Sequence, residues 1–151
     1  MNKSRTLSSK NLMKFNYKET KGRVNEYFDN LKDLEWQLAK LNAQKGVANY
    51  DFSVEYKKQP YIKIGKDMFN ISAREFTAKE LKKHISNYYW AKSILSREEQ
   101  IYLIEYFINH KYEDEIVDLL GFNNTDSREF KRLKRSAVYK FADFLSLVVS
   151  V

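Results

Sequence analysis

Among its 151 residues the chain has no cysteine, one proline, four glycines and two histidines. Without cysteine there is no disulfide, no thiolate zinc site and no cysteine nucleophile. The glycines are too scattered to make a phosphate-cradling loop. His84 and His110 lie far apart and match no paired-ligand spacing, so each reads as a surface or capping histidine. Glu113, Asp114, Glu115 and Asp118 lack the alternating ligands and central glycine of a calcium loop. They read instead as the acidic start of a helix, where the dipole favours negative charge. No apolar run approaches the roughly 20 residues of a membrane span. The polar N-terminus carries no signal-peptide core. The expectation is a cytoplasmic protein with no enzymatic activity, no cofactor, no metal and no membrane partner.

What the chain does have is charge, unevenly placed. The net charge is +7. Residues 1–23 hold seven basic side chains against Glu19 alone, a net of +6. Residues 97–118 come to −5 and residues 126–140 to +4. Two separate positive regions of this kind attract phosphate. Across residues 77–151 the charges nearly cancel, at +1, which adds nothing to that reading. The 11 Tyr and 10 Phe suit a core, base stacking, or both.

The hydrophobic periodicity is mainly helical. Residues 1–16 read as a basic, Ser/Asn-containing arm, frayed without a ligand. A long helix follows over about Tyr17–Gln44, with Val24, Phe28, Leu31, Leu34, Leu38 and Leu41 in steps of three and four. That stripe fits either a coiled-coil seam, giving a homodimer through the 17–44 helix, or packing against the same chain. Over 47–76, Phe52, Val54 and Tyr56 alternate with polar residues, and Tyr61, Ile62 and Ile64 follow Pro60. Alternation with a proline between predicts a short β-hairpin or an extended linker. Thr77 with Glu80, and Ser96 with Glu99, are capping-box pairs that open helices over about Ala78–Ile94 and Arg97–Asn109. A short helix over about Asp114–Leu120 closes at Gly121. The last helix starts near Asp126 or Ser127 and reaches the mid-140s. Two domains are expected: residues 1–76, holding the arm, long helix and central segment, and residues 77–151, a helix-turn-helix DNA-binding domain.

The last helix carries the functional reading. At about 100° per residue, Arg128, Lys131, Arg132, Arg135 and Tyr139 share one face, while Phe130, Leu133, Ala137, Phe141 and Phe144 share the other. One face suits a core and the other a polyanion. In a helix-turn-helix the second helix enters the major groove, with its early positions nearest the bases. Ser127 and Arg128 are therefore the first candidates for base contact, with Lys131 and Arg132 next. Arg135 and Tyr139 are assigned to the backbone, and Lys134 lies at the margin of the basic face. Asn123, Asn124 and Thr125 are turn residues within reach of phosphate.

The order ILSREEQIYLIEYF, EDEIVDLLGF, REFKRLKRSAVYKFADFL resembles the C-terminal part of the ArpU/RinA-type phage transcriptional regulators. That part is similar to region 4 of the housekeeping sigma factors. The shared pattern falls on Leu95–Phe107, Ile116–Gly121 and Phe130–Ala137, within residues 86–145. The turn after Gly121 reads about three residues longer than the compact family form. The resemblance implies a sigma region 4-like helix-turn-helix in a phage late-operon activator. Such a protein acts on double-stranded promoter DNA with host RNA polymerase, in the bacterial cytoplasm. The alternative is a protein-interaction module that sequesters or modulates another regulator or polymerase without reading DNA. A small terminase-like packaging accessory is a third reading.

Overall fold

A computed structural model describes residues 14–46, 51–59, 61 and 77–151. Its helices are α1 (Tyr17–Gln44), α2 (Phe52–Glu55, continued by a 3-10 turn at Tyr56–Lys58), α3 (Ala78–Ser93), α4 (Arg97–Leu103, continued by a π-helical turn at Ile104–Ile108), α5 (Glu113–Leu120) and α6 (Arg128–Phe144). The chain is mainly α-helical with a long N-terminal helix. No helix among the described residues is long and apolar enough to cross a membrane. Two compact units are formed, one of Met1–Asn25 with Ile94–Val151 and the other of Glu26–Ser93. The expected boundary at residue 76 lies outside the described residues.

The expected β-hairpin is not found among the described residues. No strand is present among the described residues, whose only β-type pairing is one isolated bridge, Phe15 with Ser150. Residues 52–58 are helical instead. Phe52 and Tyr56 are four residues apart, so they share a helix face. Both stack on Tyr89, at ring-centroid distances of 6.0 and 5.4 Å. Val54, between them, is left 69% exposed. The Asp51 carboxylate caps the turn by accepting from the Ser53 N–H at 3.1 Å. A step of two residues thus described the aromatic positions less well than a step of four. Ile62 and Ile64 lie outside the described residues.

In the second unit Phe28 meets Tyr88 edge-on at 5.7 Å, and the Trp90 indole N–H donates to the Gln59 carbonyl at 2.9 Å. The capping-box pair Thr77–Glu80 closes at the start of α3. Along α1 the stripe Val24, Phe28, Leu31, Leu34 and Leu38 is buried, with Leu41 half-buried. One chain alone covers this stripe, the same one that fits a dimer seam.

The first unit is built around α4 and α6. The capping box Ser96–Glu99 closes at the start of α4. The π-turn ends at Ile108, and His110, at φ 53°, keeps the helix from continuing. Gly121, at φ 81°, ends α5 with a Schellman pair: its N–H reaches the Asp118 carbonyl and the Phe122 N–H reaches Val117 at 3.0 Å. The same motif ends α6. There Ser146 takes the left-handed position at φ 61°, and the Leu147 N–H donates to the Ala142 carbonyl at 2.7 Å. This reversal buries Leu145 and Leu147.

Candidate nucleic-acid interface

Helix α6 starts where its sequence allows a cap. The Ser127 hydroxyl accepts from the Phe130 N–H at 3.2 Å, satisfying one otherwise unpaired donor of the first turn. Ahead of it, the Asn124 side chain accepts from the Asp126 N–H at 2.9 Å, which shapes the connection from α5. Seven residues, 121–127, separate the two helices.

The apolar face of α6 is anchored by aromatic contacts. Phe130 is fully buried, 5.9 Å from Tyr102 of α4 and 5.7 Å from Phe122 of the turn. Ala137, Val138, Phe141 and Ala142 are buried with it. This face is rotated from the expected one. Leu133 and Phe144 are only half-buried, while Val138 and Ala142 lie inside. The reversal after Phe144 brings the Leu147 N–H back onto the Ala142 carbonyl, on a side of the helix that periodicity assigns to solvent.

A polar clamp, invisible to the sequence reading, fixes α6 to α4. Glu99 is only 4% exposed. Its carboxylate accepts from the Ser96 N–H at 2.8 Å, from the Ser136 hydroxyl, and from the Lys140 ammonium at 3.1 Å. Burial alone pushes its pKa up. The hydrogen bonds from Ser136 and Ser96 and the Lys140 charge together outweigh that and hold it below the usual carboxylate value. One residue thereby completes a capping box and pins a neighbouring helix. A second link joins α5 to the other two helices. Glu113 accepts from the Tyr102 hydroxyl at 3.1 Å and from Lys134 at 3.1 Å.

The seven candidate contact residues are divided by this packing. Arg128, Lys131 and Arg132 are exposed together on the N-terminal half of α6. Ser127 is half-buried as the cap. Lys134 is engaged with Glu113 and lies over the Phe130 ring at 5.3 Å. Arg135 packs over two neighbouring rings, 5.0 Å from Phe15 and 5.2 Å from Tyr17. Tyr139 packs edge-on against Phe15 at 5.1 Å, and burial, with Asp143 second, raises its phenol pKa. Of the turn residues, Asn123 and Asn124 are exposed and Thr125 half-buried. The expected continuous ridge is thus an exposed N-terminal half and a covered C-terminal half.

Helix α5 opens with Glu113, Asp114 and Glu115 in its first turn, as the dipole argument expects. Its outer side leaves Tyr112 and Leu119 78% and 58% exposed. No group of three or more acidic or histidine side chains among the described residues is arranged to hold a metal. No protein-family model, curated protein or solved structure matches this chain.

Proposed function

We propose that this chain is a sequence-specific DNA-binding transcriptional regulator that reads duplex DNA with the first half of α6. The observation that carries the reading is the cluster of Arg128, Lys131 and Arg132, exposed on a helix whose other face is anchored by Phe130 and the Glu99 clamp. Arginine pairs with guanine in bidentate fashion, and both arginine and lysine neutralise phosphate. A helix presents such groups usefully only if it is held firmly, and α6 is held from two sides. The resemblance of residues 86–145 to ArpU/RinA-type regulators supports an activator of phage late operons that works with host RNA polymerase. Fluorescence anisotropy against DNA upstream of a neighbouring operon, with random duplex as control, tests this. Arg128→Ala and Arg132→Ala are each expected to cost about 1–3 kcal/mol of specific binding. Their melting temperatures should stay unchanged. Equal affinity of wild type for both duplexes would defeat base reading.

Tyr112, the N-cap of the acidic helix α5, and Leu119 within it are both exposed and favour a protein contact there. Aromatic and apolar groups amid charge suit an interface with a protein such as polymerase. The Tyr112→Ser/Leu119→Ser variant should keep its DNA affinity and lose its effect on transcription by bacterial RNA polymerase in a reconstituted reaction. Loss of neither would remove this surface from the reading.

A further inference from the structure

We propose that Lys14 and Lys18 form a second phosphate-contacting element beside α6, so that a duplex is gripped by two stretches of chain more than one hundred residues apart. This rests on the DNA-binding reading above. In the sequence the two positive regions are separate. In the first unit they are joined through aromatic rings. Phe15 and Tyr17 meet edge-on at 6.1 Å and the Arg135 guanidinium packs over both, at 5.0 and 5.2 Å, while Phe15 also meets Tyr139 at 5.1 Å. Lys14 and Lys18 are the chain neighbours of those two rings, and both are exposed. Adjacent Cα atoms are about 3.8 Å apart, so the backbone of each lysine stands one residue from a ring that packs on the C-terminal half of α6.

The segment is held in place, which separates it from an ordinary charged tail. Phe15 is 4% exposed and pairs with Ser150 in the isolated bridge. The Asn16 N–H donates to the Val149 carbonyl at 2.8 Å, and the Val149 N–H donates to the buried Thr20 hydroxyl at 3.0 Å. The Asn16 side chain caps α1 by accepting from the Glu19 N–H at 3.1 Å. The fold itself thus ties down the backbone around both lysines. Arg135 and Tyr139 become positioning residues here: they hold the segment against α6. The ligand chemistry follows from the set. Lys14, Lys18, Arg128, Lys131 and Arg132 are five exposed cations on one unit, which fits an extended polyanion with regularly spaced phosphates better than a single small anion. Lysines contribute charge and not base reading, so this element supplies affinity common to all sequences.

The test is the salt dependence of duplex binding by the full chain, for wild type, Lys14→Gln/Lys18→Gln and Arg128→Ala/Arg132→Ala. Each phosphate that a variant no longer neutralises should lower the slope of log K against log salt by about 0.9. The lysine pair should therefore remove about 1.8 from the slope, with the ratio of specific to random binding and the melting curve unchanged. That result supports the inference. If the arginine variant weakens binding and the lysine variant keeps the full wild-type slope, the inference falls and the DNA reading stands. If wild type binds no duplex at all, the DNA reading itself falls and takes this one with it.

Discussion

Replacing Glu99 is the sharpest test of how α6 is held. The side chain is buried, accepts three hydrogen bonds and faces one ammonium group. Glu99→Gln keeps the shape and one acceptor, so the bond from the Ser96 N–H can survive, as glutamine serves in capping boxes too. What goes is the charge. Lys140 is then left only 18% exposed with its partner neutral. Hydrogen bonds to a charged group contribute about 1.5–3 kcal/mol each, and removing one partner of a buried pair costs about 3–5. Lys140 keeps some contact with water, so about 2 kcal/mol is the reasonable figure for Glu99→Gln. Glu99→Ala also loses the cap, adding about 1 kcal/mol. For a chain of this length each kcal/mol lowers the melting temperature by about 3 °C, giving drops of about 6 and 9 °C. The pH dependence gives a second reading. Glu99 titrates below its ordinary value of 4.5, so its stabilisation is full above that value and is lost as pH falls toward the lower folded pKa. Wild type should therefore lose more stability than Glu99→Gln as pH falls below 4.5. Scanning calorimetry from about pH 7 to about pH 3 measures both. A Glu99→Gln protein melting within a degree of wild type at neutral pH, with a parallel acid profile, would refute the clamp.

Three other outcomes are expected. Phe141→Ala, at a fully buried site, should cost about 3–5 kcal/mol in urea unfolding, against about 1 for half-buried Leu133→Ala; equal costs would mean the buried face of α6 has been misplaced. Ser146→Gly should stabilise by about 1 kcal/mol, because a left-handed backbone costs a side-chain-bearing residue about 1–2, and a fall in melting temperature would contradict that strain. Leu31→Glu/Leu38→Glu puts two charges where exposure is 2% and 5%. It should unfold the second unit by circular dichroism, whereas a folded monomer derived from a wild-type dimer in sedimentation equilibrium would show the stripe acting between chains.

Much of the helical framework was legible because helix boundaries are local chemistry. The limits of α1 and the two capping-box pairs could be read from residues within one turn of each other. Gly121 closes α5 for the same reason, and Ser127 opens α6. The π-turn at Ile104–Ile108 left no local mark, since its residues suit an α-helix equally well. Residues 52–58 misled for a different reason. Phe52, Val54 and Tyr56 fit steps of two and of four alike, and only the position of Tyr89 in space separates these. Asp51 two residues before Ser53 was the available hint of a capped turn.

The candidate site was half legible, and the dividing line has a physical cause. Helical periodicity tells which residues share a face; it does not tell what lies opposite each face. Arg128, Lys131 and Arg132 were grouped correctly because nothing among the described residues buries the first turns of α6 on that side. Arg135 and Tyr139 share the same angular sector, yet the segment at Phe15–Tyr17 lies over them. That segment is more than one hundred residues away in sequence and is tied down by single bonds to Val149 and Ser150, so no window on α6 could reveal it. The covering also changes what those side chains do. A guanidinium packed over two rings gives up some of its access to phosphate, and it holds the backbone segment that carries Lys14 and Lys18. On the proposal above, the positive charge expected along one helix extends onto a second piece of backbone, with Arg128, Lys131 and Arg132 on α6 and Lys14 and Lys18 on the segment that packs over Arg135.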